Sequence, residues 1–176
     1  IPAWRTDKAM AVENPQNFKN YIEKLSEVSG INISKFQDVI DALQKRHDFF
    51  AENGCKLSDH GIEEFYAEDY TDAEIDAIFN KVYGGTELTH DEILKFKSAM
   101  MVIFAEMDHA SGWAQQFHYG AIRDNNTKMF NLLGPDTGFD SIGQFNTAKS
   151  MSKFLNRLAT NDKLTKTIIY NLNPAD

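Results

Sequence analysis

Polar residues gather just after the short apolar runs of this chain. Pro2-Ala3-Trp4 leads into Arg5, Thr6 and Asp7, and Cys55-Lys56-Leu57 leads into Ser58, Asp59, His60 and Gly61. The run Trp113-Ala114-Gln115-Gln116-Phe117 leads into His118, Gly120 and Arg123, with Asn125 and Asn126 beyond; Thr167-Ile168-Ile169-Tyr170 leads into Asn171, Asn173 and Asp176. If the apolar runs are parallel strands, chemistry sits beyond their carboxyl ends. Charged and imidazole groups arriving from separate strands would then form one polar pocket, with Arg5, Asp59, His118 and Asn171 at a common rim. Asp59, His60 and His118 are also metal-ligand types. There is no His-x-His pair and no His-Glu-x-x-His helix, so the spacing itself points only weakly to a metal.

Each residue has an ordinary alternative. Asp59 could cap a helix starting near Gly61, and His60 could be a satisfied loop histidine. His118 could be structural, and Arg5 and Arg123 could be plain surface charges. His47, His90 and His109 lie in helical stretches and read as structural, Cys55 reads as core, and the acidic run over 63–76 reads as a solvated face.

The elements that must position these groups are mostly helices. Asn14-Pro15 is a start signal, a cap residue followed by proline at the first helical position. Phe18, Ile22, Leu25 and Val28 follow at helical spacing, and Gly30 ends the run. Ser34 with Gln37 reads as a capping box, opening a helix with Phe36, Val39, Ile40, Leu43 and His47 on one side and Gly54 as its stop. Thr71 with Glu74 and Thr89 with Glu92 are further boxes, ahead of Ile75, Ile78, Phe79 and Val82 and of Ile93, Phe96, Met100, Ile103 and Met107. A last helix is expected over 147–158, with Met151, Phe154, Leu155 and Leu158 inward. Strands are expected at 1–4, 55–58, 113–117 and, as a buried type, 167–171. Residues 125–146 read as a long irregular loop, which in a compact domain usually has a function. Strands separated by helices predict a parallel sheet. Four such strands cannot close a barrel, which takes about eight, so missing strands, covered edges or an open arrangement are expected.

Composition narrows the class. The chain has 176 residues, 42% hydrophobic and 25% charged, enough for one domain with a core. Its formal net charge of -8 argues against nucleic acid as a partner. No apolar run is long enough for a membrane span. The single cysteine fits a reducing cytoplasm. The chain opens and closes on expected strands, as a piece of a larger protein would.

Four longer runs carry a resemblance. Ser58-Asp59-His60-Gly61, Gln116-Phe117-His118-Tyr119-Gly120-Ala121-Ile122-Arg123, Leu133-Gly134-Pro135-Asp136-Thr137-Gly138-Phe139-Asp140-Ser141-Ile142-Gly143 and Tyr170-Asn171-Leu172-Asn173-Pro174 together resemble uronate (glucuronate) isomerase of the amidohydrolase superfamily. Pro2-Ala3-Trp4-Arg5-Thr6-Asp7-Lys8 is similar to that family's fourth-strand motif. Asp124 departs from the pattern, where the family usually has Asn, and Trp4 and Thr6 are variants. The resemblance implies an α/β fold, a partial (β/α)8 TIM-type barrel segment. It would hold about four parallel strands, barrel strands four to seven, with a large helical content and inserted helix pairs over about 14–53 and 71–110. It would form a single segment over 1–176.

The implied reaction interconverts D-glucuronate with D-fructuronate, and D-galacturonate with D-tagaturonate. A proton leaves the carbon beside the carbonyl and returns to its neighbour through an enediol. By the same resemblance Asp59 and His118 are the candidate catalytic groups, and Arg5 and Arg123 the candidate contacts to the uronate carboxylate. The family uses a divalent metal, commonly zinc. Its main ligands are a His-x-His motif on the first strand and an Asp after the eighth, and neither motif is present here. The chain alone is therefore expected to bind no metal normally and to be inactive, and exposed strand edges suggest homo-oligomers. Two other readings stand beside this one. One is a metal-dependent hydrolase of the same superfamily with His60 and His118 as ligands. The other is a non-catalytic helical interaction module built on the amphipathic stretches over 71–82 and 89–107.

Overall fold

The computed structural model describes residues 2–175. Ile1, the first residue of the expected strand over 1–4, and Asp176, one of the polar residues expected beyond the last strand, lie outside the described residues. The described residues hold six α-helices and a small parallel sheet; the helices are α1 (Pro15–Ser29), α2 (Phe36–Glu52), α3 (Asp72–Tyr83), α4 (His90–Ala110), α5 (Thr127–Leu133) and α6 (Thr147–Thr160). The sheet holds β1 (Leu57–Ile62), β2 (Ala114–Tyr119) and β5 (Thr167–Asn171), all parallel and in that order. A two-residue antiparallel pair, β3 (Ala121–Ile122) and β4 (Ser141–Ile142), stands apart from it. The expected strand over 1–4 is only an isolated parallel bridge between Trp4 and Ser58. Trp4 N donates to Leu57 O at 3.1 Å, and Asp59 N donates to Trp4 O at 3.0 Å. The chain then turns into a 3-10 segment, Asp7–Met10, which ends the extended stretch.

The helices begin where their caps dictate. The Asn14 side chain accepts from Asn17 N at 2.9 Å, with Pro15 in the first turn, and Gly30 closes α1 in the left-handed region at φ 68. Phe18, Ile22 and Leu25 are buried, but Val28 is 45% exposed, because the buried stripe continues through Ser29 and Val28 lies to one side of it. The box before α2 uses Asp38, not Gln37. Asp38 Oδ2 accepts from Ser34 N, Ser34 Oγ and Lys35 N, while Gln37 reaches Asp41. The charged carboxylate out-competes the neutral amide for these N–H groups. The boxes of α3 and α4 form as expected, and each is tied to the other helix. Lys95 of α4 reaches Glu74 at 3.0 Å, and Lys81 of α3 reaches Glu92 at 2.7 Å. The lysine and the two Thr71 donors hold Glu74 down to about 2.

Burial alternates along the sheet. Ser58, His60 and Ile62 of β1 and Gln115, Phe117 and Tyr119 of β2 are buried. They meet an aromatic core in which Phe117 lies 5.1 Å from Phe65 and 5.7 Å from Phe154 of α6. The other face is open, with Asp59 on β1, Gln116 and His118 on β2, and Ile168 and Tyr170 on β5. β5 is not the buried strand its composition suggests: Ile168, Ile169 and Tyr170 are all exposed. Among the described residues it pairs only with β2 and is the sheet's edge. The expected loop over 125–146 contains α5 and β4, so it is more ordered than its Gly, Pro and Asp content implies.

Candidate functional site

The strand β1 starts two residues later than expected, runs four residues past its expected end, and carries Ser58-Asp59-His60-Gly61 inside it rather than beyond its end. No helix begins near Gly61, so Asp59 is not a helix cap. Strand alternation then sorts the cluster. Ser58 and His60 enter the core, and Asp59 and Gly61 face the open side. Parallel register sets Gly61 beside His118, and His118 beside Tyr170.

Asp59 is the centre of the open face. Its Oδ2 receives Arg5 Nη1 at 3.4 Å. His118 Nδ1 lies 2.8 Å from Asp59 Oδ1, an ion-pair distance. The angle falls outside hydrogen-bond geometry, leaving Oδ1 a buried acceptor with no hydrogen bond among the described residues. The His118 ring stacks on Tyr170, with centroids 4.4 Å apart and planes at 10°. The Tyr170 hydroxyl donates to Gln116 Oε1 at 3.0 Å, which fixes the ring that carries His118.

Arg5 is held from a second side. Its Nε donates to Asp7 Oδ2 at 2.8 Å. Asp7 Oδ2 also accepts from Gly61 N at 3.0 Å, and Oδ1 lies 3.1 Å from His60 Nδ1. The His60 ring is sealed between Phe104 at 5.4 Å and Phe117 at 5.5 Å. Burial pushes the Asp7 carboxyl up, but the His60 hydrogen bond and charge, the Gly61 N–H and Arg5 outweigh it. The carboxyl ends below the usual aspartate range. The Asp7 hydrogen bond, working against burial, raises Arg5 in turn, with help from the charges of Asp7, Asp59 and Asp136. A continuous chain of polar contacts therefore runs His60–Asp7–Arg5–Asp59–His118, from the core face to the open face.

The other expected members do not join it. Arg123 Nη1 donates to Asp140 Oδ2 at 2.6 Å, and Asp140 Oδ1 takes the backbone N–H of Asp124 at 3.0 Å. These two donors, the backbone one foremost, hold the Asp140 carboxyl below its usual range. Asp124 itself sits at φ 53, a conformation that Asn and Asp adopt more readily than most residues. Asn125 Nδ2 ties this turn to Ile122 O at 2.7 Å and to Ser141 Oγ at 3.0 Å. Arg123 thus belongs to a neighbouring clasp rather than to the Asp59 cluster. Asn171 is in register with Tyr119, the opposite parity to His118, and bonds Asn173 O at 3.1 Å. It does not share the rim with Asp59.

Asp7, Gln116 and Tyr170 are site residues whose roles the sequence pattern did not single out. For Tyr170 the signal was available, since in register a tyrosine one residue before the end of β5 faces the same side as His118. For Asp7 it was not, because its partners are 53 and 54 residues away.

His60 and His118 lie on opposite faces of the sheet, and His60 Nδ1 is already engaged by Asp7. They cannot share one metal, which removes the basis for a hydrolase with both as ligands. Among the described residues no group of three or more His, Cys, Asp or Glu is arranged to hold a metal ion. One imidazole and one carboxylate on the open face do not make up a zinc site by themselves.

Parallel strands feeding helices, with a carboxylate, an imidazole and a guanidinium grouped on the open face of the sheet, define an α/β protein. The comparisons narrow this. A family model described as Glucuronate isomerase matches residues 1–176, and the chain belongs to that family. It is 78% identical over 174 residues to the uronate isomerase of Bacteroides thetaiotaomicron and 76% identical over 174 residues to that of Phocaeicola vulgatus. Each match covers 99% of this chain but 37% of the relative. Among solved structures, uronate isomerase from Thermotoga maritima superposes with a TM-score of 0.92 at 36% identity, over 99% of this chain and 38% of that one. Glucuronate isomerase from Caulobacter crescentus gives 0.87 at 26% identity, over 98% and 36%. The chain therefore spans a little over a third of the length of these relatives.

Proposed function

We propose that this chain is the part of a uronate isomerase that carries the proton-transfer groups and one grip on the substrate, in a protein of full family length acting on D-glucuronate and D-fructuronate, or on D-galacturonate and D-tagaturonate. The observation that carries the reading is Asp59, shared between Arg5 and His118 on the open face of the sheet. An aldose–ketose isomerisation must take a proton from the carbon beside the carbonyl and return it to the former carbonyl carbon, moving the hydroxyl proton between the two oxygens. In this reading Asp59 steadies the Nδ1 side of His118, and Nε2 turns to the ligand as the base. Arg5 and Arg123 pair with the substrate carboxylate, Arg123 by exchanging Asp140 for it. A divalent metal, zinc by family resemblance, would take its ligands from outside these residues, and no step here is routed through it.

The three strands and the Trp4 bridge are then consecutive staves of a (β/α)8 barrel, about four to seven, with α1–α2 and α3–α4 as added helix pairs in a single segment. The exposed apolar side chains of β5 are what the next stave, or an edge-to-edge copy of the chain, would cover. No helix among the described residues is long and apolar enough to cross a membrane, and a cytoplasmic setting accords with a small sugar acid as substrate.

The test is a chimera. This chain replaces the matching segment of the B. thetaiotaomicron enzyme, and glucuronate turnover is measured. Turnover within about tenfold of the parent is expected. A chimera that folds and assembles like the parent but does not isomerise uronates overturns the reading.

A further inference from the structure

We propose that Asp7 is a positioning residue whose task is to hold the Arg5 guanidinium over Gly61, in the orientation that receives the substrate carboxylate. The inference rests on the reading of Arg5 as a substrate contact. Both oxygens of Asp7 are spent within the protein: Oδ1 on His60, Oδ2 on Arg5 Nε and Gly61 N. Its side chain is only 22% exposed, whereas that of Arg5 is 54% exposed. Asp7 is thus placed to act through Arg5 rather than on a ligand.

The geometry fixes more than proximity. A guanidinium bound at Nε alone could still swing about its last torsions. Here Asp7 holds Nε and Asp59 holds Nη1, from residues on two different segments, so the plane of the fork is set. The two bonds use the Nε proton and one Nη1 proton. Donors on Nη1 and Nη2 remain for a planar, two-oxygen anion. Asp7 is itself locked. His60 grips it from inside the core, wedged between Phe104 and Phe117, so the anchor for an exposed arginine is a buried ring. The absence of a side chain at Gly61 completes the arrangement, because a Cβ there would collide with Arg5 Nη2. Gly61 has no left-handed backbone to explain it. Room for Arg5 is the demand that the position meets.

The test uses the chimera with glucuronate. Asp7→Asn keeps the shape but removes the charge and an acceptor from Arg5. KM is expected to rise ~10–100-fold, the size of a lost charge-assisted bond, with kcat within about threefold, since the grip serves ground and transition states alike. Placed on Arg5→Gln, Asp7→Asn should add nothing to KM, because its effect passes through Arg5. Gly61→Ala is the second probe. It displaces Arg5 while leaving Asp7 and His60 in place, and it should raise KM similarly even if Asp7→Asn folds poorly. The inference is overturned if Asp7→Asn or Gly61→Ala leaves KM unchanged, or if Asp7→Asn and Arg5→Gln multiply independently. Should the unsubstituted chimera fold yet turn over no uronate, it is the isomerase reading that fails.

Discussion

The strand β1 carries two polar networks on its two faces, and they differ in what they leave unspent. On the core face Ser58 Oγ donates to Asp108 Oδ2 at 2.5 Å, and Asp108 Oδ1 lies 3.2 Å from His47 Nε2. All three residues are buried, and His47 stacks on Trp113 at 3.8 Å. This serine, aspartate and histidine have the composition of a hydrolytic triad, but the carboxylate separates the other two and no ligand can reach them. On the open face Asp59, one residue on, meets Arg5 and His118, whose side chains are 54% and 51% exposed. A carboxylate with both oxygens satisfied in a sealed core ties α2, α4 and β1 together. A carboxylate held between a half-exposed guanidinium and a half-exposed imidazole sits beside groups that a ligand can reach.

Substitutions should separate the two faces. Asp108→Ala has the largest expected effect on folding, because it strands His47 and Ser58 without partners in the core. It should cost about 3–5 kcal/mol, read as a lower midpoint in urea. His60→Leu fits the same core space but leaves Asp7 Oδ1 unpaired, and about 1–3 kcal/mol is expected from the same titration. Asp59→Asn should cost under about 1 kcal/mol, since its partners are half solvated. If Asp59→Asn destabilised as much as Asp108→Ala, the contrast between the faces would be lost.

The smallest effect concerns acid. Asp7 is held below its ordinary value of 3.8 in the folded chain. Its unfolded state therefore takes up a proton first as pH falls. The stability it contributes is fully present above that value and drains away as pH drops through the lower folded value. Asp7→Asn should flatten the stability profile below about pH 4 and leave its slope near neutrality untouched. An acid limb that keeps its steepness in the variant would show that Asp7 is not so held.

Much of this was legible in the residues, and what was not had physical causes. Capping boxes at Thr71 and Thr89 and the proline at the start of α1 are local signals, and the helices follow them. Strand β1 was cut short because Asp59, His60 and Gly61 look like loop chemistry. Only the Asp7 contact, made across 53 residues, satisfies His60 inside a core. Strand β5 read as buried because Ile168, Ile169 and Tyr170 are apolar, and edge position is a property of the sheet rather than of the strand. Arg5, Asp59 and His118 meet on the open face of the sheet. Arg123 and Asn171 were not separable from them without the register, which puts Asn171 on the other parity, and without Asp140, which holds Arg123 apart.

The most direct measurement compares neighbouring residues of one strand in the chimera with the B. thetaiotaomicron enzyme. Ser58→Ala and Asp59→Asn are assayed for glucuronate turnover and for melting temperature. The account predicts that Ser58→Ala lowers the melting temperature and keeps kcat within a few-fold. Asp59→Asn should cut kcat by ~100-fold or more at a nearly unchanged melting temperature. An Asp59→Asn protein that isomerises glucuronate at the unsubstituted rate would contradict it.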